Sequence, residues 1–143
     1  MKQILLVLAF AFFSINGFSQ QKKLKDLVGH WEIVGDTNNT ASLDVVDSST
    51  IILTYNGEKK KVLDYKIDFS RSPIWFDFST PDDSASVVVV KSLIEIMNDN
   101  MIKWQLFLDE DRTPYFSSSK GELFYLRKTK NITVVTAAVA SNK

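Results

Sequence analysis

The chain contains no cysteine. That excludes disulfides, thiolate metal sites and a cysteine nucleophile. It also excludes a lipid-anchored lipoprotein, which needs a cysteine at its cleavage point. There is one histidine, His30. A lone imidazole makes a poor metal site, and a Ser-His-Asp arrangement would have to place this one ring inside a cleft. No excess of one charge exists either, since 17 basic residues balance 17 acidic ones. The electrostatic footprint of a nucleic-acid binder is therefore missing. Glycine (5) and proline (3) are scarce, so their punctuation carries weight where it occurs. Beyond the first residues no long apolar segment of helical period appears.

What is present begins with "MKQILLVLAFAFFSINGFSQ". Lys2 precedes an unbroken apolar run from Ile4 to Phe13, and Gly17-Phe18-Ser19 places small residues where a signal peptidase reads them. Residues 1–19 are expected to be a signal peptide, cleaved to leave Gln20 first. The run is too short for a comfortable membrane span, so no stable span is expected after cleavage. The expected location is periplasmic or secreted. Residues 20–130 read as one domain, with 131–143 as a tail expected to form a short extra strand and a frayed end, or alternatively a late helix packed on the barrel.

The body alternates short β-prone runs with turn chemistry. The runs are His30–Val34, Ser42–Val46, Thr50–Tyr55, "EKKKVLDYKIDF", "IWFDFS", "VVVVKSLIEIMN", "MIKWQLFL" and "ELFYLRK". Asn56-Gly57 is the strongest hairpin signal, because both positions tolerate φ > 0. Asp47-Ser48-Ser49 and Asp99-Asn100 mark further turns, and Pro73 breaks a ladder because it has no N–H to donate. About eight strands at roughly ten-residue spacing, joined mostly by short turns, predict an all-β, antiparallel, up-and-down β-barrel. Closure removes edge strands, and eight strands leave an interior that side chains fill or that holds one small ligand.

"LVGHWEIVG" at Leu27–Gly35 resembles the Gly-x-Trp signature that opens lipocalin-like barrels. The resemblance implies that Gly29 lets the chain bend into the first strand, that Trp31 plugs the closed end, and that a basic residue of the last strand covers the indole. Arg127 in "LFYLRK" is the matching residue, with Lys128 on the other face. Tyr65, Asp68, Pro73 and Asp77 in "YKIDFSRSPIWFDF" resemble a segment of small secreted bacterial lipocalin-like proteins of unknown function. Arg112, Pro114, Phe116 and Arg127 resemble the closing segment of the same group. The matches run in order from residue 27 to 128. They carry over no catalytic residue and no cofactor.

Each remaining feature has a plain reading beside a functional one. His30 is expected on the solvated surface. Asp77 faces solvent if Phe76 and Phe78 face the core; if Trp75 faces inward, Asp77 follows it and needs a partner such as Arg71 or Lys66. "DDSA" and "DEDR" lack the frame of a calcium loop, and no metal site is expected. The lysines of "EKKKV" coat an exposed hairpin. Asp83-Ser84-Ala85 resembles a short pattern at which some bacteria O-glycosylate exported proteins. Aromatics make up 12% of the chain, and Tyr65, Trp75, Trp104 and Phe124 are the candidates to line a ligand pocket; the alternative is that they only fill a core. The expected function is a non-enzymatic, lipocalin-like protein that binds a small apolar ligand in the barrel, oriented by a polar group such as Tyr65 or Arg127. The alternative is a filled barrel that binds an unidentified protein or envelope polymer through its outer face.

Overall fold

A computed structural model describes residues 22–35 and 41–130. The expected signal peptide, its cleavage point and the tail lie outside the described residues. A 3-10 turn, Leu24–Asp26, leads into nine strands: β1 (Gly29–Ile33), β2 (Ala41–Val45), β3 (Ile51–Tyr55), β4 (Glu58–Lys61), β5 (Asp64–Asp68), β6 (Ile74–Pro81), β7 (Val87–Asn98), β8 (Met101–Phe107) and β9 (Glu122–Thr129). Among the described residues no helix is long and apolar enough to cross a membrane.

All nine strands form one antiparallel sheet in the order β4-β3-β2-β1-β9-β8-β7-β6-β5. It curls through 264° into an open half-barrel. The closed barrel of about eight strands is corrected on both counts, and for one reason. The run "EKKKVLDYKIDF" is a single stretch of chain that serves two ladders. Its first half, β4, pairs with β3; its second half, β5, pairs with β6. Val62 still donates to Ile51 O at 2.9 Å, while Leu63 already donates to Ser79 O at 2.9 Å. The strand therefore changes partner between Val62 and Leu63. The two sheet ends are consecutive in sequence but share no ladder. Side chains bridge the seam instead: Lys60 Nζ lies 3.5 Å from Asp83 Oδ1, and the Tyr65 hydroxyl donates to Ser48 O in the β2–β3 turn.

Local chemistry sets the turns. Asn56 (φ 49°) and Gly57 (φ 83°) both take the left-handed conformation that a two-residue hairpin needs. Asp47 Oδ1 accepts from the N–H and hydroxyl of Ser49, each at 2.8 Å, which shapes the β2–β3 turn. Alternation then selects the inner face. On β6 Ile74, Phe76, Phe78 and Thr80 are buried, and Trp75, Asp77 and Ser79 are not. The core fills the half of the cup nearest the 3-10 turn. There Leu27, Trp31, Leu43, Val45, Ile51, Ile94 and Ile102 are almost fully buried. Phe76 stacks on Trp104, ring centres 6.4 Å apart, and meets Phe78 in a tilted arrangement at 5.0 Å.

The opening glycine has a specific reason. Gly29 holds φ 143°, and a Cβ there would sit 2.4 Å from Lys128 Cε. Lys128 crosses that space to bring Nζ 5.2 Å from the centre of the Trp31 ring. The cation over the indole is therefore Lys128 and not Arg127. β9 places Leu126 and Lys128 on the inner face, and Arg127 is exposed on the outer one. The Trp31 indole N–H donates to Leu27 O at 2.8 Å, so the buried ring leaves no polar atom unpaired.

Candidate functional site

The unfilled half of the cup is the candidate site. It lies at the end where the chain passes from β3 to β4, from β6 to β7 and from β8 to β9. A cavity of about 200 Å³ opens there. Its floor and walls are mostly apolar, with Leu53, Phe78, Val90, Trp104, Leu106, Phe124 and Leu126, and carry the hydroxyls of Ser42, Thr54 and Thr80 among them. Its rim carries Tyr55, Glu58, Lys60, Leu108 and Glu122. Alternation on β8 and β9 brings Trp104 and Phe124 to the wall, and the two residues are also register partners. The indole N–H of Trp104 is already used, donating to buried Ser92 Oγ at 3.0 Å, whose hydroxyl donates to Phe76 O at 2.6 Å. Trp104 therefore presents only apolar surface to the cavity. Such a wall gains by covering an apolar body and offers no opposite charge to a buried ion.

Two of the four expected lining residues are elsewhere. Tyr65 is on the inner face, edge-on to Phe76 at 6.3 Å, but its hydroxyl bolts the seam to Ser48 and does not reach the cavity. Trp75 lies on the outer wall with Asp77, as the phase of Phe76 and Phe78 requires. Its ring carries the guanidinium groups of Arg112 at 3.7 Å and Arg71 at 3.8 Å. Asp77 pairs with Arg112 rather than with Arg71 or Lys66. Arg71 is held instead by Asp68, 3.2 Å away. Hydrogen bonds from the Ser70 side chain and backbone, with Arg71 behind them, hold the Asp68 carboxyl below the usual range.

The outer wall holds a feature with no clear trace in the sequence. Residues 109–121, the polar stretch "DEDRTPYFSSSKG" between β8 and β9, fold back over β7 and β8. Gln105 points outward, yet it is fully buried. Its amide donates to Ser117 O (2.8 Å) and Lys120 O (2.6 Å), and its carbonyl accepts from Ser117 N (2.9 Å). Beside it Leu93 and Phe107 are buried on the same face. Lys103 Nζ sits 4.3 Å from the Phe116 ring. The loop is thus a strap over a small second core.

His30 faces outward, as expected, but it is not free. Its Nδ1 meets Asp44, its register partner, and its Nε2 lies 2.9 Å from Glu32 Oε1. A carboxylate occupies each nitrogen, so among the described residues no serine takes the position that a nucleophilic triad requires. Partial burial pulls the His30 pKa down, but the hydrogen bonds and charges of Asp44 and Glu32 outweigh it and raise the value above the ordinary one. A raised folded pKa stabilises the protein most below the unfolded pKa of about 6.5. That contribution disappears as pH rises through the folded value. Thermal stability is therefore expected to fall as pH climbs from about 6 through the folded pKa, while the His30→Gln variant loses this slope. Melting temperatures of both proteins across that range are the check.

Ser84 is exposed in the β6–β7 turn, where its hydroxyl donates to Asp82 at 2.8 Å. Among the described residues no group of three histidine or acidic side chains is placed to hold a metal ion. Comparison with models of protein families, with curated proteins and with solved structures finds no match.

Proposed function

We propose that the chain is an exported, lipocalin-like, non-enzymatic carrier that holds a small apolar molecule in the cup of its half-barrel. The carrying observation is the apolar cavity walled by Phe78, Trp104, Leu106 and Phe124 at the open end. The leader sequence supports export, and the Gly29–Trp31–Lys128 plug supports the lipocalin-like reading of the closed end. Size limits the ligand. An apolar cavity of about 150 Å³ holds benzene, so about 200 Å³ accommodates one ring with a short substituent below the mouth.

Tryptophan emission tests this, because the three indoles report separately. Trp31 is sealed in the base, Trp75 is on the outer wall and Trp104 is at the cavity. The full chain, expressed with its own leader and recovered after export, is titrated with toluene and with cyclohexanol. Emission is expected to change in the native protein and in Trp75→Phe, and not in Trp104→Phe. Leu53→Trp, which fills the cavity, is expected to abolish binding by calorimetry. A native protein that takes up neither probe would sink the carrier reading and favour a filled barrel that works through its outer face.

A further inference from the structure

Resting on the cavity as a binding site, we infer that the cup selects cations: its ligand is a single-ring or short-alkyl body bearing a protonated amine. The charges of the rim carry this. Glu58 on β4 and Glu122 at the start of β9 stand on opposite sides of the mouth, with β3, β2 and β1 between them in the sheet. The rim has one base, Lys60, and it is already shared. Its Nζ lies 3.7 Å from Glu58 Oε2 and 3.5 Å from Asp83 Oδ1. Glu122 has no ion-pair partner among the described residues. Residues 36–40, which join β1 to β2, contain no lysine or arginine.

The ligand's charge has to sit at this rim. The floor is mostly apolar, holds no charged side chain, and has its Trp104 N–H bonded to Ser92, so a charge buried there would lose its water with no more than a serine or threonine hydroxyl in return. An anionic head at the rim would face two carboxylates with only a shared lysine to answer them. An ammonium there meets Glu122 directly and Glu58 across the mouth, while its apolar body fills the floor. Attraction at an exposed rim is modest and weakened by salt. It therefore selects among ligands of one shape more than it adds affinity.

Three isosteres separate the inference from the reading beneath it. Benzylamine, benzyl alcohol and benzoate are titrated into the full exported chain at neutral pH and low salt, followed by calorimetry. The expected order of affinity is amine, then alcohol, then carboxylate, with the amine's advantage shrinking as salt is added. Glu122→Gln is expected to weaken benzylamine by about twofold to fivefold and to leave benzyl alcohol unchanged. If benzoate binds as well as benzylamine, or if all three bind alike, the selection for cations is wrong while the cavity stands. If none of the three binds, the cavity reading itself fails and takes the inference with it.

Discussion

Replacing Trp31 by alanine is expected to destabilise the protein by about 3–5 kcal/mol, the largest single effect in this fold. The indole is fully buried at the closed end. Removing it opens a cavity among Leu27, Leu43 and the neighbouring core, and a well-packed interior recovers only part of such a loss. It also frees Leu27 O, which accepts the indole N–H at 2.8 Å, and leaves Lys128 Nζ without the ring it covers. Urea unfolding followed by far-UV circular dichroism measures the cost. Where Trp31→Ala does not fold, Trp31→Phe keeps a ring but not the N–H, and is expected to lose about 1–3 kcal/mol. An unchanged midpoint in both variants would contradict a plug that holds the base together. Lys128→Met, which keeps most of the stem and removes the charge, is expected to lose no more than about 1 kcal/mol, since the cation contributes less than the packing.

The second large effect belongs to Gln105. Alanine there is expected to cost about 1–3 kcal/mol and to release the strap. One amide satisfies Ser117 N, Ser117 O and Lys120 O at once. Without it those backbone groups must find water, and they can do so only if residues 109–121 lift from the wall. Gly121 sharpens the point. It holds φ 69°, and a Cβ would come within 2.6 Å of Leu106 O and 3.2 Å of Gln105 Cγ, so the strap returns to β9 through a gap that admits no side chain. Two readouts distinguish release from general loss of stability. Trypsin is expected to cut Gln105→Ala after Arg112 and Lys120 under conditions in which the native chain resists. The emission of Trp104, on the inner face, should stay as in the native protein. Uniform cleavage along the whole chain would indicate global unfolding and not a freed strap.

Much of the fold was legible because it is local. The Asn56-Gly57 hairpin needs only two residues that tolerate positive φ. The inner face of β6 needs only the alternation of Ile74, Phe76 and Phe78. The partner change at Val62 was not legible. Val62 and Leu63 are adjacent apolar residues, and Leu63, Tyr65, Ile67 and Phe69 keep a period of two through the run. Only the structure shows Val62 buried and Leu63 exposed where the run divides into β4 and β5.

The choice between Arg127 and Lys128 was not legible in the same way. In "LFYLRK" both phases are apolar, Leu123 and Tyr125 on one and Phe124 and Leu126 on the other. Alternation cannot then say which face is inside, and a shift of one residue exchanges the two bases. Trp75 is a related case. Its phase with Asp77 placed it outside, but its aromatic character suggested a pocket. Nothing nearby in sequence announces that Arg112, far along the chain, supplies its partner.

Composition and pattern were enough for the all-β class, the turns and the absence of thiol chemistry, because each depends on composition or on residues within a few positions of one another. Three features came only from the tertiary structure: the seam between β4 and β5, the strap over Gln105, and a half-filled cup with its mouth flanked by Glu58 and Glu122. Each depends on pairs distant in sequence that a curled sheet brings together, and the curl is set by the register and twist of all nine strands at once.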